Sequence, residues 1–188
     1  MTHPRLPLLT PADLDAAQAE LRASIAGGDR ARDAAAFALI DENGALTGPF
    51  NAMLHAPAVG DALQRLGTSI RYGTSLTGRA RELAILLVAT AWDSAFERLA
   101  HEAVGQRVGL TEAELASLRI PRKPASLDEV EALVYDVTSA LLAGDVDDEL
   151  WQRGVQSLGH QMLVELSTLV GYYATLALQL RVFRVVAE

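Results

Sequence analysis

Two long apolar stretches limit what this chain can fold into. Residues 83–91 are apolar apart from Thr90, and residues 162–180 are broken mainly by Glu165 and Gln179. A helix that is apolar on most sides has to be covered on most sides. The chain has 188 residues and half of them are hydrophobic, which is enough to build one core around both stretches. We therefore expect a single domain, residues 1–188, organised around two buried helices.

The second stretch also approaches the roughly twenty apolar residues that a bilayer-spanning helix needs. Its polar interruptions, Ser167 and Thr168 among them, favour a buried or interface helix of a soluble oligomer. The start of the chain lacks an apolar run with a basic flank and a small-residue cleavage site, so no secretory signal is expected. The sequence predicts a cytoplasmic protein that associates with copies of itself and not with a membrane.

Signals for helix starts recur along the chain ahead of apolar residues at helical spacing. They are capping side chains, and some are followed three positions later by an acidic residue, the spacing of a capping box. Breaks are expected at Gly27–Gly28 and around residues 91–93. No alternation of apolar and polar residues indicates a strand ladder, so the sequence predicts an all-α bundle of about seven or eight helices. The predicted starts are Thr10, Thr77, Thr111, Ser126 and Asp147.

Residues 29–48 do not follow this helical pattern. Asn43–Gly44 within them indicates a tight turn, in either a small hairpin or an irregular loop. We assign residues 1–48 as an N-terminal extension. Its second half either closes over a site as a lid or is a surface excursion.

Composition excludes two classes of function. The formal charge is -8 and the sixteen basic residues are scattered along the chain, so a nucleic acid partner is not expected. The chain also has no cysteine. Disulfides, thiolate nucleophiles, thiolate metal sites and a redox dithiol are therefore ruled out.

Four chemically active side chains fall in one short window: Glu82, Ser94, Glu97 and His101. Glu97 and His101 are four residues apart, so on a helix they share a face and can reach each other or one bound molecule. Glu82 precedes the first apolar stretch, one helix earlier. Leu99 is expected on the inner face of the second helix. A carboxylate beside a buried helix and a carboxylate–imidazole pair on the next helix predict an acid/base site.

Each of these residues also has a structural interpretation. Ser94 and Glu97 have the spacing of a capping box, and Glu97 with His101 could be an ordinary surface pair. A lone glutamate such as Glu82 is usually solvated, and Trp92 is more often core than pocket. The joint spacing of the four positions favours the site, because capping requires neither Glu82 nor His101.

The other histidines are weaker candidates. A metal site made of His101, His160 and a glutamate lacks any paired metal-ligand spacing, so no metal is predicted. His55 is interpreted as the end of a helical turn. Tyr172 and Tyr173 are expected to be packing residues.

A resemblance to a known family rests on residues 81–83, 92–94 and 109–111 together with Glu97 and His101. The family is that of the carboxymuconolactone decarboxylases, which also includes the alkylhydroperoxidases. The resemblance is strongest over residues 49–118, with weaker support from residues 165–173. Ser94 and Glu97 stand where the alkylhydroperoxidase branch has the two cysteines of its CxxC motif. The chain thus resembles a cysteine-free branch, and thiol peroxidase activity does not carry over.

The decarboxylase branch is similar in having a glutamate four residues before the histidine, as Glu97 and His101 stand here. The resemblance implies an alkylhydroperoxidase-like helical fold and a homo-oligomer, a trimer or hexamer. It also implies a lyase without a cofactor that acts on a small carboxylated lactone or keto acid. Two other functions stay open: proton transfer without decarboxylation, such as isomerisation or hydration, and a non-catalytic oligomer on the same scaffold.

In the decarboxylase interpretation His101 donates a proton to carbon, Glu97 orients it, and Glu82 is a second acid/base or part of a proton relay. Stabilising an enolate requires positioned donors, and it requires neither a metal nor an organic cofactor. A substrate carboxylate could be bound by an arginine fork, and the candidates are Arg71, Arg79 and Arg81. The residues assigned to substrate binding are Ser94, Trp92, Arg81 and Phe96.

Overall fold

The computed structural model describes residues 3–28 and 38–185, and these residues form an all-helical protein. This part of the chain contains nine α-helices, more than the seven or eight predicted, and no strand apart from one isolated antiparallel bridge. A 3₁₀ turn at Pro11–Asp13 precedes the first helix. The helices are α1 Ala16–Gly27, α2 Pro49–Leu54, α3 Pro57–Tyr72, α4 Gly78–Ala91, α5 Ala95–Arg107, α6 Glu112–Leu118, α7 Glu129–Ala143, α8 Asp148–Ser157 and α9 Gly159–Phe183.

Helix α4 lies at the centre of the bundle, as its apolar sequence predicts. It packs against α5, α7 and α9, and every residue from Glu82 to Ala89 is buried. Leu83, Ile85 and Val88 have no exposed surface. Burying each such side chain stabilises the fold by about 1.5–3 kcal/mol, so α4 is a main source of stability for the helices around it.

Helix α9 is the longest helix described, and it packs along α4. Leu166 and Leu169 have no exposed surface, whereas Val164, Leu178 and Val182 are exposed. By length and composition alone α9 could cross a membrane, and half of that stretch is buried inside the protein. Core helices of soluble proteins pass the same test, so this feature is weak evidence for a membrane span.

Most of the predicted helix starts are confirmed, because capping is decided by a few neighbouring residues. Thr77, Thr111 and Asp147 each accept a hydrogen bond from the backbone N–H three residues later. Helix α1 ends at Gly27, as predicted. It begins only after Asp15, however, since the hydrogen bonds from Thr10 to Asp13 close no more than the 3₁₀ turn.

The predicted start of α7 at Ser126 is wrong. Asp128 and Glu131 form the capping box instead, with the Asp128 carboxylate accepting from the Glu131 N–H. The Ser126 hydroxyl donates to Glu114 of α6 at 2.9 Å. The sequence contains two overlapping capping-box patterns, one starting at Ser126 and one at Asp128. Only the second forms, because the Ser126 side chain is bonded to α6.

The turn predicted at Asn43–Gly44 is confirmed as a small hairpin. Ile40 and Leu46 form the antiparallel bridge, and the Asp41 carboxylate accepts from the N–H groups of Asn43 and Ala45. Residues 29–37 lie outside the described residues. The candidate lid is therefore described only over its second half, which ends beside α2.

Arg79 joins the start of α4 to α6 and α7. Its guanidinium donates to Glu131 at 2.6 Å, to Glu114 at 2.9 Å and to the backbone oxygen of Gly109. Burial alone would raise the pKa of Glu114, but hydrogen bonds from Arg79, Thr111 and Ser126 outweigh it and hold that pKa at about 2. One arginine thus neutralises two carboxylates that α6 and α7 bury.

Replacing Arg79 by Met should lower the free energy of unfolding by about 2–4 kcal/mol, because two buried carboxylates lose their countercharge. Urea denaturation followed by circular dichroism measures this difference. The matched control is Arg65→Met, which removes an exposed arginine paired with Asp61 on α3 and should change stability by less than about 0.5 kcal/mol. Equal effects of the two substitutions would contradict a special role for the Arg79 cluster.

Candidate active site

The turn between α4 and α5 brings the predicted site residues together. Asp93 has a φ of 49°, a left-handed conformation that reverses the chain. Ser94 then takes the N-cap position of α5 without a side-chain capping hydrogen bond, so the alternative interpretation of Ser94 and Glu97 as a capping box is wrong. Helix α5 turns Glu97 and His101 inward. It leaves Leu99 59 % exposed, so the predicted burial of Leu99 is wrong.

His101 hydrogen-bonds to Glu82 across the interface between α4 and α5. The distance from His101 Nδ1 to Glu82 Oε2 is 2.6 Å, and the two residues are 7 % and 0 % exposed. The interpretation of Glu82 as a solvated residue is therefore wrong. A carboxylate on Nδ1 holds the imidazole in one orientation and leaves proton exchange with a ligand to Nε2.

Glu82 is held as a carboxylate by the charges around it. Its burial alone would raise its pKa, but His101, Arg71 and Arg81 together outweigh burial and lower that pKa. Arg81 contributes through Nε, which lies 3.4 Å from Glu82 Oε1. The Nδ1–H of His101 therefore donates to an ionised acceptor.

Glu97 lies in a different environment on the same helix as His101. It is 3 % exposed, and within residues 3–28 and 38–185 neither carboxyl oxygen has a hydrogen-bond partner. Burial raises its pKa to about 8, with the nearby Ser94 hydroxyl opposing part of that shift. Glu97 is consequently protonated at pH 7 and can donate a hydrogen bond. The predicted bond from Glu97 to His101 is absent, and Glu82 occupies that position.

His101 and Glu97 face one small cavity. They do not bond to each other, but the geometry fits the alternative expectation that both contact one bound molecule. The cavity volume is about 30 Å³, enough for about two water molecules. Arg71 supplies the charge in its wall, and rings and aliphatic side chains supply the rest. A ligand larger than water requires some of these side chains to move. The rings are those of Phe50, Tyr72, Phe96, Tyr172 and Tyr173.

The structure distinguishes among the three arginines that the sequence could not rank as candidates to bind a substrate carboxylate. Arg71 is buried and lines the cavity. Arg81 donates to the backbone oxygen of Arg71 at 2.8 Å and faces Glu82, so it supports the site from behind. Arg79 is engaged by Glu114 and Glu131. Arg71 is thus the arginine placed to meet a bound molecule.

Of the other residues assigned to substrate binding, only Phe96 lines the cavity. Trp92 and Ser94 line a separate cleft, which Phe96 also borders. Tyr173 packs edge-on against the His101 ring with centroids 5.1 Å apart, a contact that was not predicted from the sequence. Adjacent tyrosines in an otherwise apolar helix are the signal that could have indicated it.

Of the other three histidines, His55 and His160 lie in different surroundings. His55 Nε2 is 2.9 Å from the backbone oxygen of Pro7, and His160 packs near Trp151. Over the described ranges, no three histidine, aspartate or glutamate side chains come together as a group that could hold a metal ion.

Comparison with known proteins adds no identification. No family model matches the chain, and no curated protein matches it. The resemblance to carboxymuconolactone decarboxylases therefore remains a prediction carried by residues 81–111.

The raised pKa of Glu97 predicts a stability that depends on pH. Between the ordinary carboxyl pKa of 4.5 and about 8, Glu97 keeps its proton in the folded protein, whereas it is ionised in the unfolded chain. The free energy of unfolding should therefore fall as pH rises through this window, by up to about 1.4 kcal/mol per pH unit. Glu97→Gln should remove that slope, as measured by urea denaturation at several pH values.

Infrared spectroscopy provides the direct check. The band of a protonated carboxyl group should be present at pH 7, disappear above about pH 8 and be missing in Glu97→Gln. Glu102→Gln, on the same helix and paired with Arg119, is the control and should retain both the band and the slope. A wild-type protein without the band at pH 7 would show that Glu97 is ionised.

Gly48 sets the position of Phe96. Its φ is 57°, and a Cβ placed there would lie 2.1 Å from Cζ of the Phe96 ring. Gly48→Ala should destabilise the fold through backbone strain of about 1–3 kcal/mol, because φ 57° with ψ -136° is a conformation that few residues other than glycine adopt, plus displacement of the ring. Gly144→Ala, in the left-handed region at φ 108° with nothing within 4 Å of the added carbon, is the control for a positive φ without a clash.

A double-mutant cycle isolates the contact between Gly48 and the ring. In a Phe96→Ala background the cost of Gly48→Ala should fall to that of the backbone strain alone, as measured by urea denaturation. An unchanged cost would mean that Phe96 is not held by Gly48.

Proposed function

We propose that this protein is a cofactor-independent decarboxylase that acts on a small carboxylated lactone or keto acid. The observation that carries the proposal is the buried hydrogen bond between His101 and Glu82, beside a cavity that also contains Arg71 and Glu97. These four residues supply a proton donor, an orienting carboxylate, a fixed positive charge and a neutral donor.

The reaction follows from these groups. Breaking the bond between the carboxylate and a carbon next to a carbonyl releases carbon dioxide and leaves its electron pair in an enolate. Arg71 and the protonated Glu97 stabilise the enolate oxygen, since positioned donors are most effective where negative charge develops. His101 then gives the proton on Nε2 to carbon, and the Glu82 carboxylate holds the imidazole in position during the transfer.

The protonation states of the two glutamates suit an anionic substrate. An ionised Glu97 in the cavity wall would repel a carboxylate, whereas the protonated form donates to it. Glu82 stays ionised behind His101, where it does not line the cavity. Pairs of carboxyl groups with opposite pKa shifts are typical of acid/base sites.

The spacing of Glu82, Ser94, Glu97 and His101 supports the same proposal through its resemblance to the carboxymuconolactone decarboxylases. On that resemblance we propose an alkylhydroperoxidase-like fold and a cytoplasmic homo-oligomer, a trimer or hexamer. The exposed apolar side chains of α9 fit a surface for self-association. Thiol peroxidase activity is not proposed, because the chain has no cysteine.

The same pair of residues could transfer a proton without decarboxylation. The lowered pKa of Glu82 favours this second candidate to the same degree, because an oriented imidazole can accept a proton from carbon as well as donate one. Isomerisation and hydration belong to this class.

Proton NMR in deuterated water, with a panel of carboxylated lactones and β-keto acids, tests the proposal. Wild-type protein should remove the carboxyl group and place deuterium on carbon. His101→Ala and Glu82→Gln should each lower the rate by about a hundredfold or more. His160→Ala, which alters a histidine beside Trp151, should leave the rate unchanged.

The outcomes separate the candidates. Deuterium exchange without loss of carbon dioxide would favour the isomerase or hydratase. A decarboxylase whose rate is the same in His101→Ala would contradict the assigned proton path. Lack of turnover across the panel would count against the proposed function and favour a non-catalytic oligomer.

A further inference from the structure

A second depression lies between the α4–α5 turn and the end of α9, and the mechanism above does not use it. Its volume is about 270 Å³, against about 30 Å³ for the inner cavity. Trp92 and Ser94 line it from the turn, and Arg181 and Arg184 line it from the end of α9. We refer to it as the outer cleft.

Two arginines of the outer cleft have no countercharge among the described residues. In the part of the chain that the structure describes, neither Arg181 nor Arg184 forms an ion pair with a carboxylate. Arg181 donates to the backbone oxygen of Trp92 and lies 6.0 Å from the centre of its ring. Asp93 also lines the cleft, but its side chain is 83 % exposed and pairs with Arg98 at 3.4 Å.

Ser94 marks the start of α5 at the edge of the cleft. Its hydroxyl is buried near Glu97 and forms no capping hydrogen bond with the first-turn N–H groups of this thirteen-residue helix. The N-terminus of a helix favours an anion, and this one lies beside the two arginines.

We propose that the outer cleft binds the carboxylate of a small planar molecule. Arg181 and Arg184 neutralise the carboxylate, the N-terminus of α5 favours its charge, and the flat Trp92 ring packs against a conjugated or aromatic body. Phe96 borders both the cleft and the inner cavity. Only the further identification of this molecule as the substrate, an unsaturated carboxylate, rests on the proposed function.

Benzoate and its neutral analogue benzamide test the proposal with the full-length protein. The chain has two tryptophans, Trp92 in the cleft and Trp151 on α8, whose indole N–H signals can be followed by ¹⁵N–¹H NMR. Benzoate should shift the Trp92 signal in a saturable way, with a dissociation constant on the order of millimolar, while Trp151 stays fixed. Benzamide should produce little shift.

Substitutions identify the groups that bind. Arg184→Met and Arg181→Met should each weaken benzoate binding by about tenfold. Arg153→Met, at an exposed arginine of α8, should leave it unchanged. Circular dichroism shows whether each variant is folded, and because two positions are changed, a folding failure at one leaves the other informative.

Three results would overturn the proposal: equal shifts with benzamide, equal shifts of both tryptophans, or benzoate binding that is unaffected by either cleft substitution. The result is independent of turnover. Saturable benzoate binding by a protein inactive on the whole substrate panel would support the cleft and reject the proposed function. An active decarboxylase with an unshifted Trp92 would support the proposed function and reject ligand binding in the cleft.

Discussion

The hydrogen bond between Glu82 and His101 is the interaction on which the candidate site depends, and it requires the central helices to pack in one arrangement. A carboxylate with no exposed surface costs several kcal/mol unless neighbouring charges and donors compensate. The compensation comes from three helices, since α5 supplies His101, α4 supplies Arg81 and α3 supplies Arg71. The apolar packing of α4 against its neighbours has to fix all three together. A small change in helix packing would therefore disturb the candidate site before it disturbed the core.

The two buried glutamates illustrate how the environment, and not the residue type, assigns a role. Glu82 is surrounded by positive charge and donors, so it is ionised although it is completely buried. Glu97 is almost as buried but has no cation or donor bonded to it within the described residues, so it keeps its proton at neutral pH. The same helix thus presents a neutral acid and an oriented imidazole to one cavity, which is a workable combination for moving a proton to or from carbon.

The helices could be predicted from the sequence more completely than the site. A helix start depends on residues within one turn, and the starts at Thr77 and Thr111 are confirmed for that reason. The four-residue spacing of Glu97 and His101 predicts correctly that they share a face. It could not predict that His101 pairs with Glu82, because that choice depends on how α4 and α5 pack. The spacing of residues along one helix predicts which way their side chains point, whereas their hydrogen-bond partners depend on how the helices pack.

The Phe96 ring lines both the inner cavity and the outer cleft, and the hairpin of residues 38–48 packs against it. The cavity holds about two water molecules, and the outer cleft beside the same ring is about nine times larger. The Gly48 backbone, at the end of the hairpin, lies directly against that ring. A shift of the hairpin that freed Phe96 would also move Leu39 and Leu46, which are buried in the core, so the position of the ring is coupled to core packing. When the ring is in place, the cavity has room for only about two water molecules, and the charges of Glu82 and Arg71 act in a less polarisable medium where they are most effective. The candidate lid would then control the chemistry through one aromatic contact and need not cover the cavity itself.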